Sequence, residues 1–201
     1  MDCTIVITGH KGCNKKYLQE AIASTDGLDC RIIVAIDEDL HGLAWNFNRI
    51  IRKIETKWVK ILAFDDILIQ KSFKNQLNLA IKTEADVVYG DYIAFGDQEY
   101  EYKTPNFPVK TLIYDRKISA GTALINVEKL RKAGYLDVNF KIAEFYILWL
   151  KFIKLNFLNF VHHPEPIIKY RIHSEQKSKR VTKEEKLYRE MEMKKINEKY
   201  I

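Results

Sequence analysis

Four short apolar runs, rich in β-branched residues, occur in the first half of the chain, and polar residues close each of them. They are TIVIT at 4–8, stopped by Gly9; IIVAI at 32–36, stopped by Asp37, Glu38 and Asp39; VKILAF at 59–64, stopped by Asp65 and Asp66; and ADVVY at 85–89, followed by Gly90 and Asp91. Runs of this length and composition predict buried strands. Between them the apolar spacing changes to that of a helix: Tyr17, Leu18, Ala21 and Ile22, then 43–54, then 73–81. Strand alternating with helix predicts βαβ units and an α/β fold with a mostly parallel central sheet flanked by helices.

The second half is less regular. Residues 91–109 hold Tyr92, Phe95, Tyr100, Tyr102, Phe107 and two prolines, which predicts a long excursion or a hairpin with exposed aromatics. A further strand is expected at 121–127 and a short helix at 128–133, with Gly134 as its stop. The stretch 143–157 is strongly apolar but carries Lys151, Lys154 and Asn156, so it reads as a buried helix too polar to span a bilayer. From 182 to 200 a highly charged helix is expected, with Leu187, Met191 and Ile196 as a thin apolar face. The expected organisation is a domain over 1–180 and a charged helix over 181–201, docked on the domain or on a partner.

A chain of 201 residues is enough for one self-supporting core. Cys3, Cys13 and Cys30 lack the paired spacing of a thiolate metal site, and their odd number points to a reducing compartment. No basic flank or long apolar tract accompanies residues 4–8, so a cytoplasmic location is expected. Of the 33 Lys and Arg, eleven lie from position 167 onward, against six Glu there, so most of the net +6 belongs to the tail. That distribution argues against nucleic acid as a ligand of the whole fold. It suits a solvated helix, or a tail meeting an anionic surface such as the inner membrane face.

A largely parallel sheet binds its ligand beyond the carboxyl ends of its strands. Asp37, Asp65, Asp66 and Asp91 all follow strands at that edge. Carboxylates gathered there repel one another unless a cation or a hydrogen-bonding ligand sits among them, which points to a metal and a ribose. The Asp65–Asp66 pair is the most pointed local feature, because an ion bridging a diphosphate needs only one or two protein oxygens.

In order along the chain, VITGHKGCNKKYLQEAIAS, IIVAIDED, GLAWNFNRII, ILAFDDIL, DVVYGDY, SAGTALINVEKLRKAGYLD, AEFYILWLKF and IIKYRIHSEQKS resemble the segments of the family 2 glycosyltransferases, enzymes of the GT-A fold. Each fragment is degenerate; their shared order over nearly the whole chain is specific. The resemblance implies Thr8 and Asp37 near uracil or ribose, Asn48 near the base, Asp65 as a metal ligand with Asp66 beside it, and His173 of YRIH as a metal or phosphate ligand. It implies transfer of a sugar from a nucleotide-diphosphate donor, a UDP-sugar, to a hydroxyl of a glycan, lipid-linked or polymer acceptor. Mn2+ or Mg2+ would assist, the stereochemistry would be inverting, and a homodimer is compatible with it.

Two positions depart from the family pattern. Ala63 stands where another aspartate is usual, and Phe145 follows Glu144 where an acidic pair is usual, leaving Glu144 as the candidate base. A catalytically weakened nucleotide-sugar-binding or accessory protein therefore stays open, as does a nucleotidyltransferase, although GHKGCNKK imitates a phosphate loop only loosely. His162 and His163, adjacent in an extended segment, point oppositely and do not serve one ion. His10 fits a turn as well as a phosphate contact, and Tyr92, Phe95, Tyr100 and Tyr102 fit either an acceptor surface or a packed hairpin.

Overall fold

The computed structural model describes residues 1–113, 118–176 and 183–200. Five parallel strands, β1 (Cys3–His10), β2 (Arg31–Asp37), β3 (Trp58–Ala63), β5 (Val87–Gly96) and β8 (Phe160–Ile172), share one sheet with three short antiparallel strands. The latter are β4 (Ile67–Leu68), β6 (Tyr100–Tyr102) and β7 (Leu124–Asn126). The order is β2-β1-β3-β7-β5-β8-β4, with β6 paired to β5 off that path. β1 is buried from Cys3 to Thr8, which is why it reads as a continuous apolar run.

Alternate side chains of the strands feed two cores. Cys3, Ile5 and Ile7 of β1 pack with Trp58, Leu62 and Val88 against Ala21 of α1 (Lys15–Ala23) and Phe73 and Ala80 of α3 (Gln70–Thr83). On the other face Val6, Val59, Ile61 and Tyr89 meet Phe47 and Ile51 of α2 (Leu43–Ile51), Leu130 of α4 (Val127–Lys132) and Leu148, Trp149 and Phe152 of α5 (Glu144–Lys154). Asn14 and Asn126 cap α1 and α4 by accepting the amides of the first turn, as their residue type favours.

The four strands expected in the first half are present. The run at 85–89 is the start of a longer strand that pairs with β8 and folds back on β6, giving the hairpin alternative for 91–109. The strand expected at 121–127 is instead a 3-10 turn, Ala120–Thr122, followed by β7. β8 carries Pro164 and Pro166, which hide its strand character in the sequence; they fall where the ladder with β5 shifts register around Asp91. There Gly90 allows the backbones to approach, since a Cβ would lie 2.9 Å from the carbonyl oxygens of both His163 and Glu165.

α6 (Lys183–Tyr200) lies against α5 and the loop that precedes it. Ile196 is fully buried among Phe140, Tyr146, Ile147 and Leu150. Lys199 Nζ and Tyr200 Oη donate to Asp137 Oδ2 at 2.8 and 2.5 Å, and the Lys141 amide donates to Glu192 at 3.2 Å. Of the apolar stripe expected on this helix, Ile196 is in the core, Met191 is exposed, and Leu187 lies outside the described side chains. Residues 181, 182 and 201 of the expected charged tail also lie outside the described residues. No helix of the described residues is long and apolar enough to cross a membrane.

Candidate active site at the carboxyl edge of the sheet

β1, β2 and β3 end at a common level, with His10 opposite Asp37 and Thr8 opposite Ala63. The chain leaving β3 turns through Phe64, Asp65 and Asp66 into β4, which pairs with β8 at Ile67–Lys169. That pairing returns the end of β8 to the carboxylates. His173 Nε2 lies 3.0 Å from Asp65 Oδ2, and each side chain keeps 13% of its surface exposed. The fold thus joins the two residues that the sequence proposed as metal ligands, 108 positions apart.

Asp66 faces inward and is 3% exposed, with the Arg171 amide donating to Oδ1 at 3.0 Å. Burial, then the neighbouring Asp65 charge, pushes the Asp66 carboxyl well above the usual carboxylate range, against the opposing pull of the Arg171 amide, Lys60 and the Arg171 guanidinium. Lys60 is fully buried in β3; its ammonium donates to the Gly121 carbonyl and lies 3.4 Å from that of Ala123. Burial lowers it to about 7, offset in part by Cys3 and Asp66. Asp65 meets His173 at the edge; Asp66 is a support beneath it.

Three other positions are engaged by their own chain. The Asp37 carboxylate accepts the amides of His41 at 3.1 Å and Gly42 at 2.7 Å, closing the loop that enters α2. The Thr8 hydroxyl is buried and points to Leu62 O at 3.5 Å, between β1 and β3. Asn48 donates to Leu136 O at 2.9 Å and accepts from Leu136 N at 3.0 Å, so its amide joins α2 to the turn after α4 and faces away from solvent.

Glu144 opens α5 and is 9% exposed, following Ala143, whose φ of 55° turns the chain sharply into the helix. Phe145, 5% exposed, packs on Phe47 and Trp149 with ring centroids 5.6 and 6.0 Å apart. The position at which the resemblance expects a second acidic residue is therefore part of the apolar core here.

His162 and His163 do point apart: His162 Nε2 lies 3.3 Å from Asp91 and its ring stacks on Tyr89, whereas His163 lies 3.4 Å from Glu165. His10 is exposed, bonded to the Lys11 carbonyl and edge-on to Phe64. Tyr92 stacks on Tyr102 at 4.9 Å within the hairpin, leaving Tyr100 and Tyr102 exposed.

The residue that sequence reasoning passed over is Arg171. Its Nε donates to the Asp65 carbonyl at 2.9 Å, its guanidinium pairs with Glu20, and it lies between the rings of Tyr17 and Phe95. A signal was present in YRIH: residues two apart on an extended chain share a side, so Arg171 faces the way His173 does.

A mainly parallel sheet with carboxylates at its carboxyl edge, covered by helices on both faces, has the architecture of the GT-A nucleotide-sugar transferases. The model of glycosyl transferase family 2 matches residues 11–143, and the chain belongs to that family. The matched span contains Asp37, Asn48, Asp65 and Asp66 and ends just before Glu144, so neither Glu144 nor His173 falls within it. Among solved structures, S. aureus TarS 1–349 in complex with UDP-GlcNAc superposes with a TM-score of 0.75 at 14% identity, over 96% of this chain and 65% of that one. The same fragment in complex with UDP gives 0.67 at 15%, over 86% and 61%. The fragment alone gives 0.68 at 13%, over 85% and 60%. The chain thus spans somewhat under two thirds of the length of these structures. No curated protein matches the sequence. Among the described residues no group of three or more His, Cys, Asp or Glu converges to hold a metal; Asp65 and His173 stand as a pair.

Proposed function

We propose that the protein transfers a sugar from a nucleotide-diphosphate donor, of the UDP-sugar kind, to a hydroxyl acceptor, inverting the sugar carbon, with Mn2+ or Mg2+ at Asp65 and His173. The observation that carries this is the 3.0 Å approach of His173 Nε2 to Asp65 Oδ2 at the carboxyl edge of a family 2 chain. About 3 Å is the spacing of neighbouring ligands around an octahedral ion with bonds of roughly 2.1 Å. A carboxylate oxygen with an imidazole nitrogen suits Mn2+ better than Mg2+, which prefers oxygen alone. When bound, the ion would stabilise the charge that gathers on the departing nucleoside diphosphate.

The chain's own groups account for the rest. Glu144 accepts the proton of the acceptor hydroxyl while that oxygen bonds to the anomeric carbon and the bond from that carbon to the diphosphate oxygen breaks. It stands at the first position of α5 and is 9% exposed. The loop closed by Asp37 would receive the nucleoside end of the donor, as the resemblance implies for Asp37. The likeness to TarS, a protein solved in complex with UDP-GlcNAc and with UDP, supports a uridine nucleotide as the donor class. The acceptor is a glycan, a lipid-linked sugar or a polymer.

The test is incubation with Mn2+ and a panel of nucleotide-sugars, reading release of nucleoside diphosphate with and without candidate acceptors. Asp65→Asn and His173→Ala should each abolish metal-dependent turnover. If wild-type protein binds UDP with Mn2+ yet turns over no nucleotide-sugar, the transferase assignment falls. The reading left would be a nucleotide-sugar-binding or accessory protein, which the burial of Phe145 at the second acidic position favours.

A further inference from the structure

The Asp65–His173 pair is assembled from two distant segments, and a two-donor ligand set is useful only if both donors are held in place before the ion arrives. His173 follows the last residue of β8, and Asp65 lies in the turn after β3. Neither element reaches the other through the central ladder, because β7 and β5 lie between β3 and β8. The two-residue strand β4 is a slender link.

Arg171 closes this gap with three groups. Its backbone amide donates to Asp66 Oδ1 at 3.0 Å, its Nε donates to Asp65 O at 2.9 Å, and its terminal nitrogen pairs with Glu20 of α1. The guanidinium carbon sits 4.1 Å from the ring centre of Tyr17 and 4.4 Å from that of Phe95, so rings cover it from α1 and from β5. Its side chain is 12% exposed. Tyr17 also meets the His173 ring edge-on at 5.5 Å, and the Arg171 carbonyl is held by Gln176 at 2.7 Å, beyond the histidine. One planar cation therefore bridges α1, the carboxylate turn and the end of β8, and one tyrosine touches both it and the ligand histidine. Only a forked guanidinium can bond a carbonyl and a carboxylate while stacked between rings.

We propose that Arg171 is the positioning residue of the metal–diphosphate site, clamping Asp65 and His173 into the geometry that holds the ion, with Glu20 and Tyr17 fixing the clamp. This rests on the reading of Asp65 and His173 as metal ligands. Arg171 touches neither ion nor sugar in this role; it acts through the orientation of the two donors.

Calorimetric titration of Mn2+ into the protein at a fixed, saturating UDP concentration, together with Tm measured without metal, tests it on four proteins. Loss of an outer partner of a metal ligand costs about 10- to 100-fold in metal affinity. Arg171→Met is expected in that range, and Arg171→Lys near its lower end, because lysine keeps the charge and loses the fork. Glu20→Gln should weaken binding about threefold, with Tm close to wild type. A merely structural arginine would lower Tm and the active fraction while leaving the affinity of the folded fraction unchanged. Arg171→Met that is folded and binds within twofold of wild type overturns the proposal. If that variant does not fold, unchanged affinity in both Arg171→Lys and Glu20→Gln overturns it equally. Wild-type protein that binds no UDP with Mn2+ removes the parent reading instead, a result distinguishable from wild-type binding that the variants leave unchanged.

Discussion

Asp65 and Glu144, to which the proposed function gives the metal and the proton, are held in different ways. Asp65 is fixed by short-range bonds that converge from α1, β8 and its own turn: His173 on its carboxylate, Arg171 on its carbonyl, and Glu20 and Tyr17 behind the arginine. Glu144 stands at the head of a core helix whose approach loop is anchored from the far end of the chain, by Ile196, Glu192, Lys199 and Tyr200 of α6. Damage to the first network should appear as lost affinity for the metal and the donor. Damage to the second should appear as lost turnover or stability while the donor still binds.

The largest expected effect separates the two most cleanly. Glu144→Gln should reduce transfer by about 100- to 10,000-fold, the range for removing a general base, with UDP binding within about twofold of wild type. Unchanged transfer would remove Glu144 from the mechanism. Asp65→Asn should do the converse, weakening Mn2+-dependent UDP binding by about 100-fold, whereas binding that survives without metal would place the ion's role elsewhere. On the stability side, Ile196→Ala should cost about 2–5 kcal/mol in denaturant unfolding, because a fully buried side chain leaves a cavity between α6 and α5. A cost under about 0.5 kcal/mol, the usual size at a surface position, would mean that α6 is dispensable to the fold.

The smallest effect depends on pH. Burial pushes the Asp137 carboxyl upward, but hydrogen bonds from Lys199, Tyr200 and Asn139 outweigh it and hold the group well below the usual carboxylate range. A carboxyl with a depressed folded pKa contributes stability above its unfolded value, near 3.9, and loses it as pH falls through the folded value. Asp137→Asn should therefore cost about 1 kcal/mol at pH 7, discounted because Lys199 is half exposed, and progressively less below about pH 4. A difference between wild type and variant that is flat from pH 7 to pH 3 would show that the anchor is not electrostatic.

How much of this was legible in the sequence depends on how local each feature is. Strands β1, β2 and β3 announce themselves as short apolar runs, broken in β3 by the buried Lys60, and in β1 and β3 both faces are buried. The helices between them show in the apolar period, and the acidic ends at Asp37 and Asp65 show in simple adjacency. β8 was concealed by Pro164 and Pro166, tolerated there only by the bulge in its pairing with β5. Asn48, placed near the base by resemblance, is bonded to Leu136, because the turn after α4 offers it an amide and a carbonyl at matching spacing. Nothing local in the sequence records that offer.

By itself, then, the sequence determined the α/β rhythm and the strand ends at Asp37 and Asp65, which are written in periods and adjacencies along the backbone, and the ordered likeness of its segments pointed to the family; Asp91, expected at the same edge, lies within β5. The tertiary structure alone decided that His173 meets Asp65 across 108 residues and that Arg171 reaches Glu20 across 151. It also decided that Asp66 lies inside while its neighbour lies at the rim, and that α6 anchors the approach to Glu144. The physical reason is common to all four. Each is fixed by the lateral order and register of strands, or by helix docking, and those are settled by burial and hydrogen bonding summed over the whole molecule.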